Sequence, residues 1–310
     1  MKTKLIIGTR GSQLALWQSE WVKAALMKQY PTLTVELQII KTKGDIILDV
    51  PLAKVGGKGL FTKEIEEALL DDRIDLAVHS MKDMPAVFPK GLYIGAVPER
   101  ETPEDVLISR KGLKLSQMPE GARIGTSSLR RSAQLLYHRP DFEILTLRGN
   151  VGTRLNKLET QKMDGIVLAA AGIKRLGFEN RVTEYLAKDV MLPAVGQGAL
   201  CIEMRENDPD VYALTRFLDH SETRAVITAE RAFLHRLEGG CQVPIAAHGK
   251  LENGRLTLCG LVADIDGSKM IKETLCGPEA ESESIGIDVA ERLLAKGAKP
   301  ILDKLNTDGC

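Results

Sequence analysis

The sequence lacks any excess of charge of one sign. Its 310 residues include 42 Lys and Arg against 42 Asp and Glu, so the formal net charge at pH 7 is zero. A balanced chain has no global field to attract nucleic acid or an anionic membrane, and we expect neither as a partner. Any anion must therefore be bound by cations that cluster locally.

Paired cysteines and long apolar runs are missing as well. The five cysteines are an odd number, and no two stand at the C-x-x-C spacing typical of zinc sites. We therefore expect no disulfide framework and no metal, but reduced thiols in a cytoplasmic protein. Near the N-terminus only Leu5, Ile6 and Ile7 are consecutive apolar residues before Gly8, too few for a signal peptide or a membrane span.

Strand-like and helix-like stretches alternate over the first two thirds of the chain, as in sheets covered by helices. The predicted strands are 5–7, 34–40, 76–78, 106–109, 123–126, 142–147 and 199–203. The predicted helices are 12–29, 61–70, 129–138 and 151–160. In the first helix, the apolar positions at helical spacing are Leu14, Trp17, Trp21 and Leu26.

A short repeated motif, Ile-Gly-Thr, indicates two related lobes. Ile7-Gly8-Thr9 and Ile124-Gly125-Thr126 each end a predicted strand, and each is followed by a serine and a helix. Helix N-termini bind anions, so each lobe would present such a site at a comparable place. The charged segment 98–103, bracketed by prolines, is the predicted crossing between the lobes.

The character of the chain changes after residue 220. A long predicted helix, 221–237, is followed by apolar-rich runs separated by Asn253-Gly254 and Asp266-Gly267, which are hairpin signals. An amphipathic helix over 285–296 then closes a small α+β domain with a three-stranded antiparallel sheet.

The predicted fold class is therefore α/β, with two mixed-sheet lobes and a small C-terminal α+β domain. Two lobes linked by crossing strands resemble the type II periplasmic-binding-protein arrangement, which has its ligand site in the cleft between them. The predicted boundaries are 1–98 and 199–217 for the first lobe, 104–193 for the second lobe and 220–310 for the C-terminal domain.

A thiol, Cys241, stands on a glycine-rich loop in Glu238-Gly-Gly-Cys-Gln-Val-Pro244, directly after the long helix. Two glycines permit crowded or positive-φ backbone and leave the sulfur unshielded by neighbouring side chains. A reactive or modified cysteine fits these features, and so does a buried structural cysteine after a helix stop.

A carboxylate, Asp83, follows a short apolar strand in His79-Ser-Met-Lys-Asp-Met-Pro85. It lies at or just past the carboxyl end of that strand, where open α/β sheets bind ligands. Held in a cleft, Asp83 would bind N–H groups and stabilise a cation; a solvated turn residue is the alternative. We expect His79 to be a buried hydrogen-bonding residue rather than a base.

Arginines recur at the turns between strands and helices. Guanidinium groups hold carboxylates by two parallel hydrogen bonds, so such a set suits a ligand with several carboxylates, although any single one could be a solvated surface cation. Phosphate is the competing ligand, but Gly56-Gly-Lys-Gly59 lacks the spacing and the Ser/Thr of a phosphate-binding loop. The arginines are Arg10, Arg130, Arg131, Arg148, Arg154 and Arg175.

These motifs resemble those of the porphobilinogen deaminase (hydroxymethylbilane synthase) family over nearly the whole chain. Beyond the cysteine and aspartate motifs, the matching segments are Gly8-Thr-Arg10, Leu14-Ala-Leu-Trp17, Gly57-Lys-Gly-Leu-Phe61, Leu147-Arg-Gly-Asn-Val-Gly-Thr-Arg-Leu155 and Leu192-Pro-Ala-Val-Gly-Gln-Gly-Ala-Leu200. The sequence departs from the family pattern at Met84, at Cys201 and at Ala246-Ala-His248, which puts local packing in question.

The resemblance implies a transferase of tetrapyrrole (haem) biosynthesis. Such an enzyme condenses four molecules of porphobilinogen head to tail, releases ammonia each time, and frees the linear tetrapyrrole hydroxymethylbilane. It implies one dipyrromethane cofactor bound to Cys241 through a thioether, with Asp83 as the catalytic carboxylate. It also implies a monomer whose partner is the small molecule porphobilinogen.

Further site residues follow from the matching motifs. Those expected at the cofactor, besides Cys241 and Asp83, are Lys82, Thr126, Ser128, Arg130, Arg131, Gln197 and Gly198. Those expected at the substrate are Arg10, Ser12, Arg148, Arg154 and Arg175. A mobile glycine-rich lid is expected around Lys54, Lys58 and Phe61, and a long surface loop is the alternative.

A non-catalytic two-lobed binding protein for a small carboxylated ligand is the alternative function. It shares the predicted lobes but leaves a third domain bearing Gly-Gly-Cys unexplained. The intact mass separates the two, because only the enzyme carries a dipyrrole.

Overall fold

The computed structural model describes residues 2–46, 59–237 and 244–307. Within these ranges the chain forms two mixed five-stranded sheets and one three-stranded antiparallel sheet, which confirms the predicted fold class. No helix in the described ranges is long and apolar enough to cross a bilayer.

The elements follow one another in four groups. The first is β1 (Lys4–Thr9), α1 (Gln13–Gln29), β2 (Thr34–Ile39), α2 (Lys43–Ile46), α3 (Lys63–Leu70), β3 (Leu76–Ser80) and β4 (Leu92–Ala96). The second is β5 (Asp105–Ser109), β6 (Arg123–Gly125), α4 (Leu129–His138), β7 (Glu143–Leu145), α5 (Val151–Thr160), β8 (Gly165–Ala169), α6 (Ala170–Arg175) and β9 (Glu184–Tyr185). The chain returns through β10 (Leu200–Arg205) and α7 (Pro209–Thr215). The last group is α8 (Ser221–Arg236), β11 (Ile245–Glu252), β12 (Arg255–Ala263), β13 (Met270–Pro278), α9 (Ser282–Leu293) and α10 (Lys299–Thr307).

Both five-stranded sheets have the same topology. The strand order is β2-β1-β3-β10-β4 in the first sheet and β7-β6-β8-β5-β9 in the second. In each, three parallel strands are followed by an antiparallel strand, β10 or β5, which the chain forms just after crossing from the other sheet. Gly8 in β1 and Gly125 in β6 occupy equivalent positions, so the repeated Ile-Gly-Thr motif lies at the same place in both sheets. We call the two sheets with their helices the first and second lobe.

Helix α1 forms where it was predicted, but only part of its apolar spacing lies on the buried face. Its buried residues are Gln18, Ser19, Val22 and Leu26. Trp17 and Trp21 are 38% and 40% exposed, although they share the helical spacing with fully buried Leu26. A polar side chain can replace them on the buried face because Gln18 Nε2 donates to Ser80 Oγ at 2.9 Å.

The C-terminal domain contacts both lobes. Helices α8 and α9 pack on its sheet, where fully buried Phe233 fills the space that Gly260 leaves without a side chain. The domain meets the second lobe in a cluster of small and apolar residues: Ala133, Leu192, Ala246, Leu261 and Ala263. It meets the first lobe where Ile227 of α8 is buried with Met81 and Met84. The loop around Asp83 is therefore packed against the helix that leads to Cys241.

Candidate active site

Asp83 lies on a single 3-10 turn, Met81–Asp83, directly after β3. The amide of buried Met81 donates to the Ala199 carbonyl at 3.0 Å, which fixes the turn to the returning chain. Gly196 is required beside it, because its φ is +71° and a Cβ would lie 2.5 Å from Met81 Cγ. Asp83 itself is exposed and accepts no hydrogen bond from the described residues. It is an open carboxylate at the carboxyl end of a parallel strand.

Lys82 connects this turn electrostatically with the second lobe. Burial lowers the pKa of Lys82 to about 8; Asp83 opposes this fall, while the positive charge of Arg131 adds to it. Because charge interactions weaken with distance, the influence of Arg131 and Asp105 on Lys82 indicates that the Asp83 turn lies near the first turn of α4. At neutral pH the Lys82 side chain is still mainly an ammonium group.

Arg130 and Arg131 converge on a buried carboxylate, Asp105, which our sequence analysis missed. Arg130 Nη1 donates to Asp105 Oδ2 at 2.7 Å, and Arg131 Nε donates to Asp105 Oδ1 at 2.9 Å. Burial alone would raise the pKa of Asp105, but the two guanidinium groups outweigh it and lower that pKa to about 2. Two cations share one anion, so this buried group keeps a net positive charge.

Gln197 is buried beside the same carboxylate. Its Nε2 donates to Asp105 Oδ1 at 3.1 Å and to the Pro103 carbonyl at 2.7 Å. Its Oε1 is buried and has no hydrogen-bond partner among the described residues. At the start of α4, Thr126 Oγ1 accepts from the Ser128 amide at 3.2 Å. One buried acceptor therefore remains for a donor supplied by a ligand.

Arg154, on α5, is the second-lobe arginine that is coupled to Asp83. Its Nε donates to the Gly149 carbonyl at 2.7 Å, which directs the side chain back over the start of its own helix. Burial lowers the pKa of Arg154 to about 10; neighbouring Arg131 and Arg148 lower it further, whereas Asp83 raises it. The predicted arginines Arg131, Arg148 and Arg154 are thus brought together on one wall of the cleft.

Arg10, in the first lobe, is already paired within the protein. Its guanidinium forms an ion pair with Asp45 and lies 4.1 Å from the centroid of the Phe61 ring. Ser12, next to it in the turn, accepts a hydrogen bond from the Ala15 amide at 3.2 Å and caps α1. Arg10 and Phe61 are therefore in contact, and Asp45 occupies the Nε and Nη2 side of the guanidinium.

Arg175, at the end of α6, lies where the two crossing segments meet. Its Nη2 donates to the Gly198 carbonyl at 2.7 Å, and its guanidinium lies 5.8 Å from the Trp17 ring centroid in the first lobe. Burial lowers the pKa of Arg175 to about 10, against the negative charge of Glu101. Gly198 has φ +91°, and a Cβ there would lie 2.2 Å from the Glu101 carbonyl oxygen, so only glycine fits.

Two further buried pairs of polar side chains hold together the segments that carry the site. His79 Nε2 lies 3.0 Å from Glu203 Oε2, so His79 is the buried hydrogen-bonding residue that we predicted. Arg100 Nη1 donates to Glu230 Oε1 at 2.6 Å, and Glu230 Oε2 accepts from the Gly196 amide at 2.7 Å. Glu230 therefore ties the C-terminal domain to both crossing segments. Three predicted site residues, Cys241, Lys54 and Lys58, lie outside the described residues.

Fold and site together define a class of protein. Two lobes of one topology face each other across a cleft, where the second lobe presents the cluster of Arg131, Arg148 and Arg154 and the first lobe presents the exposed carboxylate of Asp83. Such a cleft is suited to a ligand with several carboxylates and with a donor or cationic centre for the aspartate.

The chain belongs to the porphobilinogen deaminase family. The family model described as porphobilinogen deaminase, dipyromethane cofactor binding domain, matches residues 5–213, and the one described as porphobilinogen deaminase, C-terminal domain, matches residues 225–295. The resemblance noted from the motifs is therefore confirmed.

Relatives named porphobilinogen deaminase match the chain almost from end to end. The protein from Syntrophotalea carbinolica is 59% identical over 302 residues, 97% of this chain and 96% of its own. That from Desulforamulus reducens is 53% identical over 305 residues, 98% and 99% of the two chains. Among solved structures, the periplasmic aliphatic sulphonate binding protein SsuA from Escherichia coli gives a TM-score of 0.41 at 13% identity, covering 77% of this chain and 76% of its own.

Proposed function

We propose that the chain catalyses the porphobilinogen deaminase reaction. This transferase joins four porphobilinogen molecules head to tail, releases one ammonia from each, and frees hydroxymethylbilane. The observation that carries the proposal is the open carboxylate of Asp83, which is electrostatically coupled to Arg154 and to Lys82, itself coupled to Arg131. Each pyrrole of the substrate bears an acetate and a propionate, so the cations would hold these arms while Asp83 faces the ring nitrogen.

The residues beside Asp83 fit a dipyrromethane cofactor. Its carboxylates need cations, and its pyrrole N–H groups need acceptors such as the buried, unpartnered Gln197 Oε1. The residues that would hold it are Cys241 (through a thioether), Lys82, Asp83, Thr126, Ser128, Arg130, Arg131, Gln197 and Gly198. When bound, the group supplies the nucleophilic pyrrole carbon that starts the chain.

Asp83 would act on the substrate at two points. Loss of ammonia from the aminomethyl group leaves an electron-poor azafulvene cation, and the carboxylate would accept a hydrogen bond from the ring N–H and offset the charge that develops there. The same carboxyl group would give a proton to the departing amine and later take one from the α-carbon. An exposed carboxylate with no hydrogen bond from the described residues is free to approach the substrate in this way.

Four further arginines and one serine would bind substrate arms. The residues proposed for this role are Arg10, Ser12, Arg148, Arg154 and Arg175, with Lys54, Lys58 and Phe61 in a lid. The contact of Phe61 with Arg10 supports the link between the lid and the substrate cations.

The proposal includes an architecture and a setting. The first lobe would comprise residues 1–98 and 199–217, the second lobe 104–193, and the cofactor-bearing domain 220–310. We propose a cytoplasmic monomer whose ligand is porphobilinogen, without nucleic acid as a partner. The balanced charge of the chain supports this choice of partner.

Intact mass and peptide mapping of Cys241→Ser test the function. The wild-type protein should carry the mass of one dipyrrole and consume porphobilinogen, whereas the variant should fold but lack both the adduct and the activity. Thiols ionise far more readily than hydroxyl groups, so serine is a poor replacement for the nucleophile. A wild-type protein at its sequence mass that binds porphobilinogen without turnover would favour a binding protein, and an adduct mapped to another cysteine would contradict the assignment of Cys241.

A further inference from the structure

A partly buried arginine of the C-terminal domain, Arg231 on α8, reaches the loop that carries Asp83. Its Nη2 donates to the Pro85 carbonyl at 2.8 Å and to the Ala86 carbonyl at 3.0 Å. The guanidinium lies 4.9 Å from the centroid of the Phe88 ring. Thus one side chain holds two successive carbonyl groups and a ring of the other domain.

The charge of Arg231 has no counter-ion within the ranges that the structure describes. No described Asp or Glu lies within ion-pair distance of it, and burial lowers its pKa. Burying a cation without a counter-ion is unfavourable, and an apolar side chain of similar volume would pack at least as well. Unlike an apolar side chain, a guanidinium orients the groups it binds, because its planar set of donors holds acceptors at fixed angles.

The position of Asp83 depends on the backbone around it. Its carboxylate accepts no hydrogen bond from the described residues, so no donor among them orients it. Upstream, the turn is fixed by the Met81 amide and by the packing of Met81 against Ile227. Downstream, residues 84–91 form neither helix nor strand, and Pro85 has no N–H to donate. Arg231 supplies the hydrogen bonds that fix this downstream side.

We propose that Arg231 is a positioning residue for the proposed deaminase reaction, on which this inference rests. Ile227 and Arg231 are four residues apart and share one face of α8, and this face lies along the Asp83 loop. Helix α8 ends at Arg236, only a few residues before Cys241. Arg231 therefore fixes the position of the Asp83 carboxylate relative to the helix that leads to the cofactor cysteine.

The test compares Arg231→Met and Arg231→Lys with a matched control, Arg236→Gln. Arg236 is on the same helix, but it is exposed and pairs with Glu291 within its own domain. We expect Arg231→Met to carry the cofactor, to keep KM within about 3-fold, and to lose about 10- to 100-fold in kcat, because a displacement of about 1 Å can have an effect of that size. Arg231→Lys should recover part of the rate, and Arg236→Gln should match wild type.

A double-mutant cycle with Asp83→Glu separates positioning from general stability. The added methylene already displaces the carboxylate, so Arg231→Met should lower kcat by less than about 3-fold in that background. Full additivity of the two losses, wild-type kcat in Arg231→Met, or unfolding of both Arg231 variants would overturn the proposal. Failure of the proposed function itself would be seen independently, as a wild-type protein without dipyrrole or turnover.

Discussion

Replacing Asp105 by asparagine removes the one negative charge that Arg130 and Arg131 share. The substitution keeps the shape of the side chain, and Arg130 and Arg131 keep their hydrogen bonds to the Leu192 and Val167 carbonyls. What changes is charge: two buried guanidinium groups are left without their counter-ion. The variant therefore tests whether this carboxylate holds the two arginines in place before the cofactor arrives.

The size of the effect follows from the pKa of Asp105. A fall from 3.8 to about 2 corresponds to a preference for the ionised form of roughly 2–3 kcal/mol, and loss of one partner from a buried ion pair usually destabilises by about 3–5 kcal/mol. At roughly 2–4 °C per kcal/mol, Tm should fall by on the order of 10 °C. Because the folded-state pKa is the lower one, this stabilisation is present above about pH 4 and is lost as the pH falls towards 2.

The assay is thermal unfolding of apoprotein and holoprotein, with Asp141→Asn as the control. The pKa of Asp141 is also lowered to about 2, chiefly by hydrogen bonds from Arg139, but Asp141 lies at the surface and its loss should leave Tm within experimental scatter. In Asp105→Asn, cofactor carboxylates should replace the lost anion. The fall in Tm should therefore be smaller in the holoprotein than in the apoprotein.

Two results would refute this reasoning. If Asp105→Asn apoprotein has the same Tm as wild-type apoprotein, the carboxylate does not stabilise the arginines. If the fall in Tm is equal in apoprotein and holoprotein, Arg130 and Arg131 are structural cations that do not meet the cofactor.

Two further predictions concern the residues of the Asp83 turn. Asp83→Glu keeps the charge and should retain measurable activity. Asp83→Asn should lower the single-turnover rate of cofactor-loaded protein by about 10²–10³-fold. If Asp83→Asn were active and Asp83→Glu inactive, the shape of the side chain would matter rather than its charge. Loading of apoprotein with cofactor should decline as the pH rises through about 8, where Lys82 loses its proton. Lys82→Arg keeps its charge and should load equally well between about pH 7 and 9; the same decline in that variant would assign the titration to another group.

Elements whose limits are set locally were predictable from the sequence. The predicted helices 129–138 and 151–160 coincide with α4 and α5, because capping residues and apolar spacing lie within the helices or next to them. Helix α6 was missed: the apolar run 166–171 continues from strand into helix without a polar break, and a segment buried on all sides has no periodicity.

The site residues show the same difference between features set locally and features set by tertiary packing. Asp83 was placed correctly, because the end of a strand and the turn that follows it are local features. Asp105 could not be recognised as the partner of Arg130, since that contact depends on how the crossing segment meets α4. The exposure of Trp17 was also beyond reach, because which face of α1 is buried depends on the strands against which it packs.

The order of strands in the first sheet has a consequence for synthesis of the chain. Strand β10 lies between β3 and β4, and β4 pairs with no strand other than β10 among the described residues. The second lobe, in contrast, contains all five of its strands in one continuous stretch. At roughly 5–20 residues per second, β4 waits several seconds for Leu200–Arg205 to leave the ribosome, while the later-made lobe can already close its sheet. The lobe that carries the Asp83 turn begins first and is completed last, and its unpaired edge is exposed to other chains in the interval.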